Sequence, residues 1–303
     1  MATMNSSTFS KALQVGVNAW YGKAYDEYPV EWTKLFDQFT SRKAFEEDVG
    51  MASFGLAQVK AEGQPISYDN ETQGFTSRYT HVAYGLGFIV TKEMFEDDQY
   101  DVVAERRARG LAFSMRQTKE IVAANVYNRA FTSGYTGGDG VVLGSASHVN
   151  VSGGTYSNIL STAANLSEAS LEQACIDISK FTNDRGLKIA VIPQTIIIPV
   201  DSQFEITRIL KGSERYGTAN RDVNALNMMG KFPGGVVVNH YLTSTTAWFV
   251  RTNVQDGLKY FSRRDDAFAE DNDFDTENAK FKATSRYSFG WTDPRGIYCT
   301  PGV

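Results

Sequence analysis

The sequence is poor in the residues that most often announce chemistry. Its 303 residues include two cysteines, Cys175 and Cys299, and three histidines, His81, His148 and His240. Two distant cysteines give neither a disulfide framework nor a metal knuckle, and they fit a reducing compartment. The histidines lie in unrelated segments, where a lone imidazole is more often a packed or surface group than a ligand. H-E-x-x-H and C-x-x-C are missing, so zinc has no motif to rest on. G-x-S-x-G and the Walker pattern are missing too. The glycines between Gly134 and Gly140 lack a following Lys-Ser/Thr and read as a flexible connector. Ser145, Ser147 and His148 are near one another in sequence, but a catalytic triad is defined by residues that meet in space. Cys175, between apolar neighbours on a helical stretch, reads as core. No catalytic, cofactor-binding or metal-binding residue is assigned.

Positive charge is also short. Thirty Lys and Arg stand against 35 Asp and Glu, a net charge of -5 with a pI near 5.4. That argues against a surface built to neutralise phosphates. Long apolar runs are lacking: the longest, Thr195 to Val200, is strand-sized and far from the roughly 20 residues of a membrane helix. Met1 to Ser10 is polar and unlike a secretory signal. The expectation is a chain made in the cytosol, neither exported nor membrane-embedded. Its hydrophobic fraction of 42% and charged fraction of 21% are those of a globular protein with one large domain or two modest ones.

The acidic run Asp271, Asp273, Asp275 and Glu277 imitates a calcium loop. An EF-hand wants glycine at its sixth position and glutamate at its twelfth. Counted from Asp271 those positions hold Thr276 and Lys282, so the run reads as a solvated turn or as carboxylates that pair with arginines of another subunit.

Aromatic residues, by contrast, crowd the first forty positions: Trp20, Tyr21, Tyr25, Tyr28, Trp32, Phe36 and Phe39. Either an arm docks them on a neighbouring subunit or they complete the chain's own core; composition favours neither. From Ala44 to Val90 the pattern is extended, with a turn signal at Glu62-Gly63-Gln64-Pro65. Phe75, Ser77, Tyr79, His81 and Ala83 share one strand face. The apolar phase then moves to Tyr84, Leu86, Phe88 and Val90, which predicts a bulge or change of face near Ala83. Each flank of the turn could reach on the order of 50 Å. A hairpin so polar on both faces needs a partner for stability.

A long helix follows, capped at Thr91, Asp98 or Asp101 and ending near Phe131. Ala104, Ala108, Leu111, Met115, Thr118, Val122 and Val126 form its apolar stripe, and Glu105, Arg106, Arg109, Arg116 and Lys119 its wet side. Gly110 inside it predicts the close approach of a backbone or bulky side chain. Further on, a helix starts at Ser167 or Ser170, the latter with Gln173 at capping-box spacing, and runs to Phe181. Ile189 to Ile192 and Thr195 to Val200 read as buried strands. Ser202 with Glu205 opens a helix to Lys211, stopped by Gly212; Ser213 to Asp222 is a polar loop. Val236 to Leu242 and Trp248 to Arg251 read as a hairpin around Thr243 to Thr246. Phe281, Ala283, Ser285, Tyr287, Phe289 and Trp291 alternate with polar residues in the clearest strand, whose apolar face should meet the long helix. A tight turn, Asp293 to Gly296, ends it. Helices and strands without strict alternation give an α+β class.

Three stretches, Glu46-Glu47-Asp48-Val49-Gly50-Met51, the helix from Ala104 to Phe131 with its Glu-Arg-Arg-Ala-Arg start, and Asp275 through Gly296, resemble the Mu-like major head subunit family of tailed bacteriophages. The likeness runs from Tyr28 to Tyr298. It implies the Hong Kong 97-type capsid fold: an N-terminal arm (1–44), an E-loop (45–90), a peripheral domain with its spine helix (91–135), an axial domain (136–256) and returning peripheral strands (257–303). The loop from Ser213 to Asn220 would point at the capsomer axis. The resemblance further implies a major capsid protein of the virion, assembled in the host bacterial cytoplasm. Hexamers and pentamers of the chain itself would close into an icosahedral shell around double-stranded DNA, touched without sequence preference. A separate scaffold protein, a portal and a decoration protein are the other partners implied. Some relatives crosslink through a lysine and an asparagine; Lys60 lies in the E-loop, and no crosslink is assigned to it. Two other readings stand beside it: an encapsulin-type nanocompartment shell, and an α+β hydrolase for which no candidate residue is found.

Overall fold

A computed structural model of the chain describes residues 21–91, 93, 100–214, 222–272 and 278–303. In chain order, residues 21–27 are helical, followed by β1 (Asp37–Thr40), β2 (Phe45–Ala52), β3 (Thr72–Thr80) and β4 (Val82–Val90). The long helix α1 covers Tyr100–Asn128, and the short pair β5 (His148–Val149) and β6 (Thr155–Tyr156) precedes α2 (Glu168–Ser179). Then come β7 (Pro193–Pro199), α3 (Gln203–Lys211), α4 (Ala225–Met229), β8 (Val236–Asn239) and β9 (Trp248–Thr252). The chain closes with β10 (Leu258–Asn272), β11 (Ala279–Trp291) and β12 (Ile297–Thr300). The class is α+β.

Two four-stranded sheets organise these elements. The first, in the order β1-β10-β11-β4, lies against α1. Strand β11 behaves as its alternation dictates: Phe281, Ala283, Ser285 and Tyr287 are buried, and Ala283 packs with Leu111, Ala112 and Met115 of α1. The second sheet, β12-β9-β7-β8, carries α2, α3 and α4 through Leu171, Ile178, Ile206, Ile209 and Leu226. Burying such aliphatic side chains stabilises by about 1.5–3 kcal/mol each. The expected hairpin from Val236 to Arg251 does not form. Strand β8 pairs parallel with β7, and β9 lies antiparallel on β7's other edge, so β7 separates them. Ile189 to Ile192 is not a strand: Ile189 and Ile192 are exposed, and only Val191 is buried. The expected capping boxes also shift. Ser167 and Ser170 form the capping box of α2, whereas Ser202 caps α3 without a side-chain bond.

Helix α1 differs from its sequence reading in rotation. Ala108, Leu111 and Met115 are buried as expected, but the stripe then continues through Lys119, Glu120, Ala123, Ala124 and Tyr127. Thr118, Val122 and Val126 are only half-buried. Arg116 and Lys119, expected in water, are 8% and 7% exposed. The leader accounts for this. The Lys119 ammonium lies 5.0–5.4 Å from the ring centres of Trp32, Tyr260 and Tyr287, a cation–π cage, and 3.7 Å from Asp266. Glu120 accepts the backbone N–H groups of Glu31 and Trp32, both at 3.0 Å. The close approach expected at Gly110 is not there: a Cβ at that position would meet nothing within 4 Å.

The aromatic leader therefore completes the chain's own core. Tyr21, Trp32, Leu35 and Phe36 are buried, while Tyr28 and Phe39 stay exposed and Trp20 lies outside the described residues. Residues 31–37 join the two layers. Glu31 accepts from the His240 backbone N–H at 3.0 Å and its Nδ1 at 2.5 Å, Arg251 donates to Asp37 at 2.5 Å, and Tyr127 donates to the Leu35 carbonyl at 3.2 Å.

Candidate assembly surfaces

Strands β2 and β3 pair antiparallel from Phe45↔Thr80 to Ala52↔Thr72 and project residues 53–71 beyond the ladder. That projecting segment has no strand pairing of its own, and its turn falls at Gly63, φ 76°, as the Glu62-to-Pro65 signal predicts. Burial alternates through Ser77, Tyr79 and His81, then resumes at Tyr84, Phe88 and Val90. The expected change of face thus occurs where β3 gives way to β4, which leaves the hairpin and pairs with β11 in the first sheet.

The hairpin root is fastened to the body. Lys259 of β10 donates to Asp48 of β2 and, at 2.7 Å, to Asp256. Thr292 donates to Asp48 at 2.7 Å, and the Tyr79 and Thr292 hydroxyls lie 2.7 Å apart. Burial alone would raise the Asp48 carboxyl, but hydrogen bonds from Lys259 and Thr292 hold it below its ordinary value. The glycine-rich segment after α1 is a packed seat for the hairpin and not a loose connector. A Cβ on Gly138 would stand 2.8 Å from the Thr76 carbonyl oxygen, and one on Gly137 would stand 2.6 Å from Trp291 Nε1. At the neck, Asp69 accepts from the Gly55 N–H at 2.8 Å and from Arg185 at 2.5 Å, while Asn183 donates to Ser53 at 2.8 Å.

Beyond that neck the apolar side chains are bare. Leu56 is 74% exposed, Val59 99% and Tyr68 88%. Lys60 stands among them, exposed. A second apolar patch lies on α3, α4 and the chain between them, where Phe204, Val223, Met228 and Met229 are each more than 60% exposed. It flanks the polar loop expected from Ser213 to Asp222, of which 215–221 lie outside the described residues. Large apolar side chains left this exposed on neighbouring elements mark interaction surfaces.

The polar groups singled out in the sequence do not converge. His148 is fully buried; its Nδ1 lies 2.6 Å from Asp139 and its Nε2 3.2 Å from the Leu143 carbonyl oxygen, while Ser145 bonds to Ser147. His81 and His240 lie in separate places, His240 at the surface on Glu31. Cys175 and Cys299 are buried free thiols, and burial raises both pKa values, that of Cys175 to about 11. Among the described residues no group of three or more His, Cys, Asp or Glu is placed to hold a metal ion. Of the acidic run, 273–277 lie outside the described residues. No helix among the described residues is long and apolar enough to cross a membrane.

Solved structures share this architecture. The chain is similar to a subunit of the bacteriophage PhiM1 mature capsid (TM-score 0.57, 10% identity, 91% of this chain and 88% of that one). It is similar to the virus-like particle of Pyrococcus furiosus (0.54, 12%, 93% and 96%) and to the procapsid of bacteriophage JBD30 (0.52, 13%, 99% and 77%). No curated protein sequence matches. A projecting hairpin, a spine helix on a four-stranded sheet and a second α/β layer define a subunit of the Hong Kong 97-type capsid fold. A family model for phage capsid proteins matches residues 74–300, and the chain belongs to that family.

Proposed function

We propose that the chain is the major head subunit of a tailed bacteriophage, forming hexamers and pentamers that close into an icosahedral shell around double-stranded DNA. The observation that carries this reading is the 53–71 segment. It holds large apolar side chains that nothing among the described residues covers, on a neck that is itself well fastened. A subunit gains their burial from a neighbour, and closure multiplies weak contacts by avidity. The patch on Phe204, Met228 and Met229 offers a second contact, about the capsomer axis. The acidic balance of the chain, -5, favours sparse, nonspecific contact with DNA, since strong phosphate binding would hinder release.

The subunit's role in this reading is structural and not enzymatic. A separate scaffold, a portal and a decoration protein are its expected partners, and assembly takes place in the host cytoplasm. Within the family, the stretches Glu46–Met51 and Ala104–Phe131 favour the Mu-like head subunits. The likeness to the Pyrococcus furiosus particle keeps a nanocompartment shell as the alternative, and shell contents separate the two.

Negative-stain microscopy of the expressed chain, alone and with the neighbouring structural proteins of its genome, is the test. Closed shells that protect DNA support the reading; small shells filled with an enzyme favour the alternative. Replacing Leu56 and Val59 by Asp should leave soluble, folded subunits that do not close. Normal shells from that variant would overturn the role given to the loop.

A further inference from the structure

His81 is the single residue between β3 and β4, where the hairpin returns to the body. It is 4% exposed. Its Nε2 lies 3.0 Å from the hydroxyl of Ser41, the residue just after β1 where the chain leaves for the hairpin, and its Nδ1 lies 2.9 Å from the hydroxyl of Ser288 on β11. One imidazole therefore ties the two ends of the hairpin to each other and both to the sheet. We infer that His81 is a proton-sensitive hinge pin: neutral, it helps to hold the hairpin root closed, and protonation in mild acid loosens that root while the body stays folded.

The hydrogen-bond directions around the ring support this. Ser41 donates its proton to Glu46 at 2.7 Å and accepts the Lys43 backbone N–H at 3.1 Å. Its hydroxyl hydrogen is spent, so His81 Nε2 is the donor in that bond and carries the ring's proton. Nδ1 is then the acceptor of the Ser288 hydroxyl. A second proton turns Nδ1 into a donor. Ser288, itself buried, must then rotate to accept from it and gives up the bond it donated.

The charges around the ring work in the same direction. Arg286 of β11 donates through Nε to the His81 carbonyl at 3.3 Å, and Arg263 of β10 also faces the ring. Glu46 of β2 is the opposing carboxylate, already shared by Ser41 and by Lys43 at 3.1 Å. The Phe261 ring, 6.4 Å away, completes the surroundings and offers no charge. Burial, and after it Arg286, holds the imidazole below its ordinary 6.5; Glu46 pulls the other way, and Arg263 adds a smaller depression. The sign follows. A base depressed in the closed state lets the open state take up the proton first, so closure is fully favoured above pH 6.5 and weakens as pH falls from there toward the closed-state value. The inference concerns the hinge within one subunit and does not depend on shell formation.

The test is hydrogen exchange of the full-length, unassembled subunit between pH 7.5 and 5, corrected for intrinsic rates. Opening of the β2–β3 amides should rise about tenfold for each unit by which the closed-state value lies under 6.5. The amides of α1 and β7 should hold. His81→Gln, which keeps a donor and an acceptor without titrating, should abolish the rise. Should that variant misfold, the wild-type ring signal of His81 followed by NMR decides alone. An imidazole titrating at or above 6.5 would overturn the inference, as would a pH-dependent rise that persists in H81Q.

Discussion

Arg185 donates to Asp69 at 2.5 Å across 116 residues of sequence, and a second nitrogen of the same guanidinium donates to the Asn70 carbonyl at 2.5 Å. Together with the Gly55 N–H bond to Asp69, this clasp gathers both sides of the loop at one point. Arg185→Ala should leave the melting temperature unchanged and make residues 53–71 several-fold more sensitive to protease, since local openings are set by local contacts. Limited proteolysis followed by mass spectrometry checks it.

Lys119 and Asp266 form a nearly dry pair beneath the leader, their side chains 9% and 12% exposed. Tyr25 also donates to Asp266, at 2.5 Å. Removing one partner of such a pair leaves the other charge uncompensated, at a cost of about 3 kcal/mol or more. Lys119→Met should therefore lower the denaturant midpoint strongly and loosen residues 21–40. The double change Lys119→Met with Asp266→Asn should recover part of that loss.

The Asp48 latch has its own pH window. Its carboxyl is depressed in the folded state below 3.8, so its contribution is present above pH 3.8 and is lost as pH falls through the lower folded-state value. Thermal unfolding of the wild type should show an acid limb below about pH 4. In Asp48→Asn that limb should be shallower. This limb lies well below the window assigned to His81, so one series of buffers resolves the two.

Gly138 has no room for a side chain, because the Thr76 carbonyl would stand 2.8 Å and the Ser77 hydroxyl 3.0 Å from a Cβ there. Gly138→Ala should cost about 1–3 kcal/mol through overpacking and tilt the hairpin on its seat. A melting curve gives the first effect, and cross-linking between β3 and the 137–140 segment gives the second. Gly110, with open space around it, should accept alanine and gain about 0.5–1 kcal/mol of helix propensity.

Where a segment's partner was nearby or its period regular, the sequence showed the outcome. Strand β11 could be read from its alternation, and the change of face expected near Ala83 came within two residues of the point where the hairpin rejoins the body. The extent of α1 was also legible, although its rotation was not. Arg116 and Lys119 looked like surface residues because their partners, the Tyr28 carbonyl and the Trp32 ring, are distant in sequence. A pattern of apolar periodicity does not register a buried charge satisfied by a remote ring or amide. The same limit explains β8 and β9, two short strands with a turn signal between them whose shared neighbour, β7, comes some forty residues earlier. Ile189 and Ile192 misled because exposed apolar residues are common on any surface. On the candidate surfaces, the hairpin's reach, its turn and its need of a partner were visible in the sequence, whereas its bare apolar side chains, the Asp69–Arg185 clasp and the His81 pin needed the fold.

The register of β1 on β10, Asp37 against Lys259, bears on how the subunit is made. A nascent chain displays Trp32, Leu35 and Phe36 early and must wait for more than two hundred further residues before the strand that shelters them leaves the ribosome. Long-range pairings of this kind are slow to form. During that interval the leader's rings are the segment most in need of a chaperone, and crowded synthesis of many copies would make the wait hazardous.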